Sequence, residues 1–84
     1  MDADRIASLI EKALPDAHVE VSTRTDHPED DHYEALVVST AFEDASLVEQ
    51  HQLVYDALGE HMTTDIHALE LRTFTPGEYE EVVG

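Results

Sequence analysis

Residues 33–74 read YEALVVSTAFEDASLVEQHQLVYDALGEHMTTDIHALELRTF, and this stretch decides the fold. Tyr33 to Thr40 is rich in β-forming residues. The unbroken Ala35-Leu36-Val37-Val38 predicts a strand that is either covered on both faces or central in its sheet. Ser46, with Glu49 three residues on, is a capping box that opens a helix carrying Leu47, Val54 and Leu58. One glycine costs only about 1 kcal/mol in a helix interior, so the helix is expected to run through Gly59 to about Met62. Ala41 to Ala45 reads as a separate turn before it. Ile66 to Phe74 alternates again, with His67, Leu69 and Leu71 on one side and Ala68, Glu70 and Arg72 on the other, as a strand requires. A single helix between two strands returns the chain to its starting end. The two strands should therefore run parallel, joined by a right-handed connection.

Working outward, Ile6, Leu9, Ile10 and Ala13 fall at helical spacing, with Asp2 and Asp4 at the positive end and Pro15 as the stop, predicting a helix from Asp2 to Leu14. Val19 and Val21 alternate with Glu20 and Ser22 in a short strand, and Thr23 to Asp31 is a polar loop broken by Pro28. That strand and the next should form an antiparallel hairpin. After Phe74, Thr75-Pro76-Gly77-Glu78 repeats the helix-start grammar and leads into a short helix carrying Tyr79 and Val82. The order is α-β-β-α-β-α: an α+β fold whose three-stranded mixed sheet is covered by helices on one face. With 84 residues, the chain is expected to form a single domain, residues 1–84, because a chain this short hides only about 60% of its unfolded surface.

Twenty Asp plus Glu stand against four Lys plus Arg, for a net charge of −16. Nucleic acid is a poor partner for such a chain, since duplex binding relies on cations and only Arg5, Lys12, Arg24 and Arg72 are available. Anionic lipid is disfavoured for the same reason. So much acid reads as a halophilic adaptation, since concentrated salt screens self-repulsion. No cysteine is present, which excludes disulfides, a thiolate nucleophile and a cysteine metal cage from this chain alone. Neither a signal peptide nor an apolar run of membrane-spanning length is visible, so a soluble, cytoplasmic protein is expected. Nucleophile motifs, phosphate loops and the His-Glu-x-x-His pattern are missing as well, and the chain is expected not to be an enzyme.

The histidines carry the remaining chemistry. Read alone, His67 is a strand residue hydrogen-bonded at the rim of the core, and His27, between Asp26 and Pro28, is a solvated loop residue. His51 lies mid-helix four residues before Tyr55, which suits a structural role for both. His18 and His61 are assigned to the surface. Glu29-Asp30-Asp31 lacks the spacing of a calcium loop and reads as a solvated acidic turn.

Taken together, Leu36-Val-Val-Ser39, Phe42-Glu43, Ser46-Leu-Val-x-x-His51-x-Leu-Val-Tyr55-x-Ala-Leu58, Ile66-His67-Ala68-Leu69 and Thr73-Phe-Thr-Pro76-x-Glu78-Tyr79 resemble the BolA family over nearly the whole chain. The resemblance implies a class II KH-like fold. It also implies a monothiol glutaredoxin partner, with a [2Fe-2S] cluster held between the two proteins, and a role in iron-sulfur cluster assembly and trafficking or in iron sensing. The family's ligand positions carry over to His67 and to His27 in the hairpin loop, with His32 in reserve. The partner-binding positions carry over to His67, Ala68, Leu69, Thr75 and Pro76. The isolated chain should be a monomer without cofactor, and should form a heterodimer with its partner.

Cluster iron usually sits on thiolates, but imidazole replaces some of them in Rieske centres, so a cysteine-free chain can complete a cluster if another protein brings sulfur. Two departures from the family pattern stand out. Gln50-His51-Gln52 replaces the arginines that often flank this histidine, and the Gly-x-x-Gly loop of nucleic-acid-binding KH domains is absent. Two alternatives remain: a DNA-binding transcriptional regulator of BolA type, which the charge disfavours, and a stand-alone site for Zn²⁺, Ni²⁺ or Cu²⁺ built from His27, His32 and His67.

Overall fold

Helix α1 spans Ala3–Ala13 and begins where the chain offers a cap: the Asp2 carboxylate accepts a hydrogen bond from the Arg5 N–H at 2.9 Å, satisfying one of the free donors of the first turn. Ile6 and Ile10, one turn apart, are completely buried. Leu14 ends the helix at the boundary set by Pro15. These contacts belong to a computed structural model that describes residues 2–23, 32–64 and 68–84.

Three strands follow the predicted order. They are β1 at His18–Thr23, β2 at His32–Val38 and β3 at Ala68–Phe74. β1 and β2 are antiparallel, with Val19 opposite Val37, whereas β2 and β3 are parallel, with Ala35 opposite Leu71. The sheet order β1-β2-β3 puts β2 in the centre. Tyr33, Ala35 and Val37 are buried against the helices, while Leu36, on the opposite face by the period of two, is half-exposed. The unbroken apolar run thus marks a central strand with one uncovered face.

Two boundaries differ from the sequence reading. Ser39 and Thr40 do not extend β2. The buried Ser39 hydroxyl donates to the Pro15 carbonyl at 2.7 Å and accepts from the Ala41 N–H at 3.1 Å, capping a 3₁₀ turn over Thr40–Phe42. A hydroxyl that competes for backbone partners ends the strand at Val38. The long helix α2 spans Leu47–Leu58, with both capping-box bonds of Ser46 and Glu49 in place, but it stops at Gly59 and does not reach Met62. Gly59 takes φ +56°, accessible to glycine without the Cβ penalty, and a separate one-turn helix α3 occupies His61–Thr64. The glycine acts as a helix terminator here, its commoner use, and not as a tolerated interior residue.

Helices α1 and α2 cover the face that carries Tyr33, Ala35 and Val37, with Val19, Val21, Leu69 and Leu71 packed around that core. Phe42 and Val54 are fully buried within it, each worth about 1.5–3 kcal/mol of burial. Gln50, also buried, ties α2 to its surroundings. Its amide nitrogen donates to the carbonyls of Ala45 at 3.0 Å and Phe42 at 3.4 Å, and its oxygen accepts the Thr73 hydroxyl of β3 at 2.7 Å.

Helix α4, Pro76–Val83, starts with the anticipated Thr75–Glu78 capping box and Pro76 at its first position. Its Tyr79 side chain reaches Glu20 and His18 of β1 at the end of the sheet that carries Phe74. No helix among the described residues is long and apolar enough to cross a membrane.

Candidate functional site

The described residues place three chain ends side by side. Thr23, the last residue of β1, is opposite Tyr33, and His32, the first residue of β2, is opposite Ala68, the first of β3. Neighbouring strands lie about 4.8 Å apart, so these ends fall within about 10 Å of one another. The segment 24–31 is anchored at Thr23 and His32, and position 67 adjoins Ala68. The expected ligands His27 and His67, together with Asp26, Pro28 and the Glu29-Asp30-Asp31 run, lie outside the described residues, as does Ile66. His32, the reserve ligand, opens β2 in backbone register with Ala68.

The other expected partner-binding residues divide between the two ends of β3. Ala68 and Leu69 are at the histidine-bearing end, whereas Thr75 and Pro76 follow Phe74 at the other, about 20 Å away at 3.3 Å per residue. They mark the two extremities of one strand. His51 and Tyr55 are half-buried on α2, one turn apart.

Between these ends, the uncovered face forms a depression of about 460 Å³ lined by Glu20, Ser22, Glu34, Leu36, Glu70 and Arg72. The strand register sets this composition, aligning Ser22, Glu34 and Glu70 in one row and Glu20, Leu36 and Arg72 in the next. At the end remote from the histidine-bearing segments, the Glu20 carboxylate accepts from His18 Nε2 at 2.8 Å and from the Tyr79 hydroxyl at 3.2 Å. The His18 bond, and then the Tyr79 bond, hold the Glu20 carboxyl below its ordinary range. Partial desolvation, followed by the carboxylate it donates to, raises the Tyr79 hydroxyl above its own. The Tyr79 ring also lies 5.6 Å from that of His18 and 6.1 Å from that of Phe74. Among the described residues, no group of three or more His, Asp or Glu side chains is arranged to hold a metal ion.

Two features were not anticipated from sequence. His18 and Glu20, two apart on a strand, share a face by alternation, but nothing local announces that Tyr79 joins them across 59 residues. The role of Gln50 is similarly hidden: a glutamine on a capped helix looks solvated, and only its buried position at 8% exposure shows otherwise.

Residues 10–78 match the family model described as "BolA-like protein". The "DNA-binding transcriptional regulator BolA" of Escherichia coli is 31% identical over an alignment covering 95% of this chain and 81% of that protein. "Protein BOLA1, chloroplastic" of Arabidopsis thaliana is 39% identical over 73% of this chain, a match spanning only 37% of that longer protein. Among solved structures, a BolA protein homologue from Coxiella burnetii superposes with a TM-score of 0.80 at 40% identity, covering 95% of this chain and 97% of the other. The chain belongs to the BolA-like protein family.

Proposed function

We propose that this chain is a non-catalytic partner of a monothiol glutaredoxin, contributing His67 and His27 to a [2Fe-2S] cluster shared between the two proteins, with His32 as the substitute for His27. Such a pair would serve iron-sulfur cluster trafficking and maturation or iron sensing. The observation that supports this reading is the alignment of Thr23, His32 and Ala68 at one end of the sheet. Both histidine-bearing segments are joined in sequence to residues at this end. The donor set fits as well. A chain without cysteine can still offer imidazole, a borderline ligand that suits cluster iron when thiolates come from elsewhere. Neutral imidazole is required, so ligation should weaken as pH falls past about 6.5, and such lability suits a carrier or sensor.

The test is visible circular dichroism of a cluster-loaded monothiol glutaredoxin before and after addition of this chain. Binding through imidazole should change the spectrum, and His67→Ala should abolish the change, while His27→Ala and His32→Ala identify the second ligand. A full spectral change with His67→Ala would refute the assignment. The regulator reading draws support from the name of the Escherichia coli relative. The net charge of −16 opposes it, because counterion release from DNA needs a cationic face.

A further inference from the structure

β3 is an edge strand, and among the described residues no strand pairs with its outer side. The Phe74 carbonyl turns inward to accept the Ser39 N–H at 3.2 Å. Because backbone groups alternate along a strand, Glu70 and Arg72 face β2 in the same way, and the N–H and C=O groups of Leu69, Leu71 and Thr73 point outward. Among the described residues, no backbone bond meets them from outside the sheet. The Tyr79 side chain of α4 is directed toward His18 and Glu20 of β1, away from the outer side of β3. Natural edge strands are usually blunted by charged side chains, lysine above all, by proline, by a bulge or by a covering element. Ala68–Phe74 contains no lysine or proline and pairs with β2 without a break in register, and its two charges, Glu70 and Arg72, are of opposite sign.

We propose that β3 pairs antiparallel with β3 of a second copy of this chain, about a two-fold axis through Leu71, to form a continuous six-stranded sheet. Two constraints favour this register over the adjacent ones. In a two-fold antiparallel pair, opposed residues share a face, so the two residue numbers must add to an even total. Centring on Glu70 opposes two glutamates, and centring on Arg72 opposes two arginines. Centring on Leu71 sets each Glu70 against the other copy's Arg72, with Leu71 against Leu71 and Leu69 against Thr73. Both charged side chains are exposed on the uncovered face, and Leu69 and Leu71 are half-exposed on the other. Pairing therefore joins opposite charges on one face and covers apolar surface on the other. The opposite edge is less suited: an antiparallel β1 pair centred on Glu20 would set two carboxylates against each other.

Each copy brings a net charge of −16, and this long-range repulsion opposes the contact at low ionic strength. The Debye length falls from about 10 Å at 0.1 M salt to about 3 Å at 1 M, which screens the two bodies from each other but leaves charges in contact coupled. Self-association should therefore strengthen with salt. The inference is independent of the cluster reading.

Sedimentation equilibrium of the full chain tests it, at about 0.1 M and about 1 M sodium chloride, a range over which the Debye length falls about threefold. The expected result is a monomer–dimer equilibrium that tightens with salt. Glu70→Arg and Arg72→Glu should each weaken it about tenfold, since each turns two attractive cross-strand pairs repulsive. Mixing the two variants should restore the dimer as a heterodimer, because positions 70 and 72 are then both basic in one copy and both acidic in the other, so that every cross-strand pair is attractive again. Circular dichroism of each variant verifies that the monomer remains folded. A wild-type monomer at millimolar protein in 1 M salt, single variants that dimerise undiminished, or a mixture that stays monomeric would each overturn the proposal.

Discussion

The Gln50–Thr73 bond should be worth measuring, because it joins the crossover helix to the strand it delivers. Gln50→Leu keeps the helix propensity of the side chain, in a form one atom shorter, but removes three hydrogen bonds: to Thr73 at 2.7 Å, Ala45 at 3.0 Å and Phe42 at 3.4 Å. Gln50 is 8% and Thr73 9% exposed, so water can replace little of what is lost. A buried polar group left without its partner costs about 1–3 kcal/mol. The 3.4 Å bond contributes least, and added apolar burial returns part of the loss, which leaves a net destabilisation of about 2–3 kcal/mol. Thr73→Val, which strands the glutamine oxygen, should cost about 1–2 kcal/mol. Removing both partners leaves no orphan at that contact, so the double variant should be more stable than the sum of the singles by about 1 kcal/mol. Urea unfolding at fixed salt measures all four proteins. The total stability of a domain of this size is about 4–13 kcal/mol, so the effects are resolvable. Additivity within about 0.3 kcal/mol would refute the reasoning, because sites that add are not in contact.

Two further outcomes follow from local geometry. Gly59→Ala should destabilise the chain by about 1–2 kcal/mol in the same unfolding assay, because φ +56° and ψ −131° lie where an L residue is strained; a neutral or stabilised variant would show that α2 can continue past this position. The contact of α4 with β1 should loosen at both extremes of pH. Glu20, held below its ordinary 4.5, contributes stability that is present above that value and lost as pH falls through its lowered pKa. Tyr79, raised above its ordinary 10, contributes stability that is present below that value and lost as pH rises through its raised pKa. Proton NMR of the Tyr79 ring across a titration should show both transitions in the wild type and the lower one gone in Glu20→Gln.

The fold was legible wherever a local rule and the tertiary arrangement asked for the same residue. Ser46 with Glu49, and Thr75 with Pro76 and Glu78, announce their helices, and both capping boxes form as read. The parallel pairing of β2 and β3 follows from having one helix between them. Legibility failed where a residue had two uses of similar cost. Gly59 could sit inside a helix or end one, and propensity alone favoured the wrong use. Ser39 could continue a strand or cap a turn, and its choice depends on the Pro15 carbonyl, 24 residues away. The candidate site was legible to the level of chain connectivity: the hairpin order and the parallel crossover together require the segments bearing His27 and His67 to start from one sheet end.

The same comparison changes the meaning of a sequence departure. Family members often carry arginines beside the histidine on this helix, and Gln50-His51-Gln52 reads as a lost pair of charges. Only Gln52 is solvated; it donates to Asp56 at 2.9 Å along the exposed side of α2. Gln50 is inside, where a guanidinium would need a compensating carboxylate and the surrounding groups are instead two carbonyls and a hydroxyl. A neutral amide fits that set, with two donors for the carbonyls and one acceptor for the hydroxyl, whereas a buried unpaired charge would be far more costly. Position 50 is thus a structural tie that fixes α2 against Thr73 and hence sets where β3 lies beside β2. The strand it holds also carries Ala68, opposite His32, at its other end. Loosening it in Gln50→Leu should weaken cluster-dependent spectral changes without removing any ligand, while His67→Ala should abolish those changes with the fold intact.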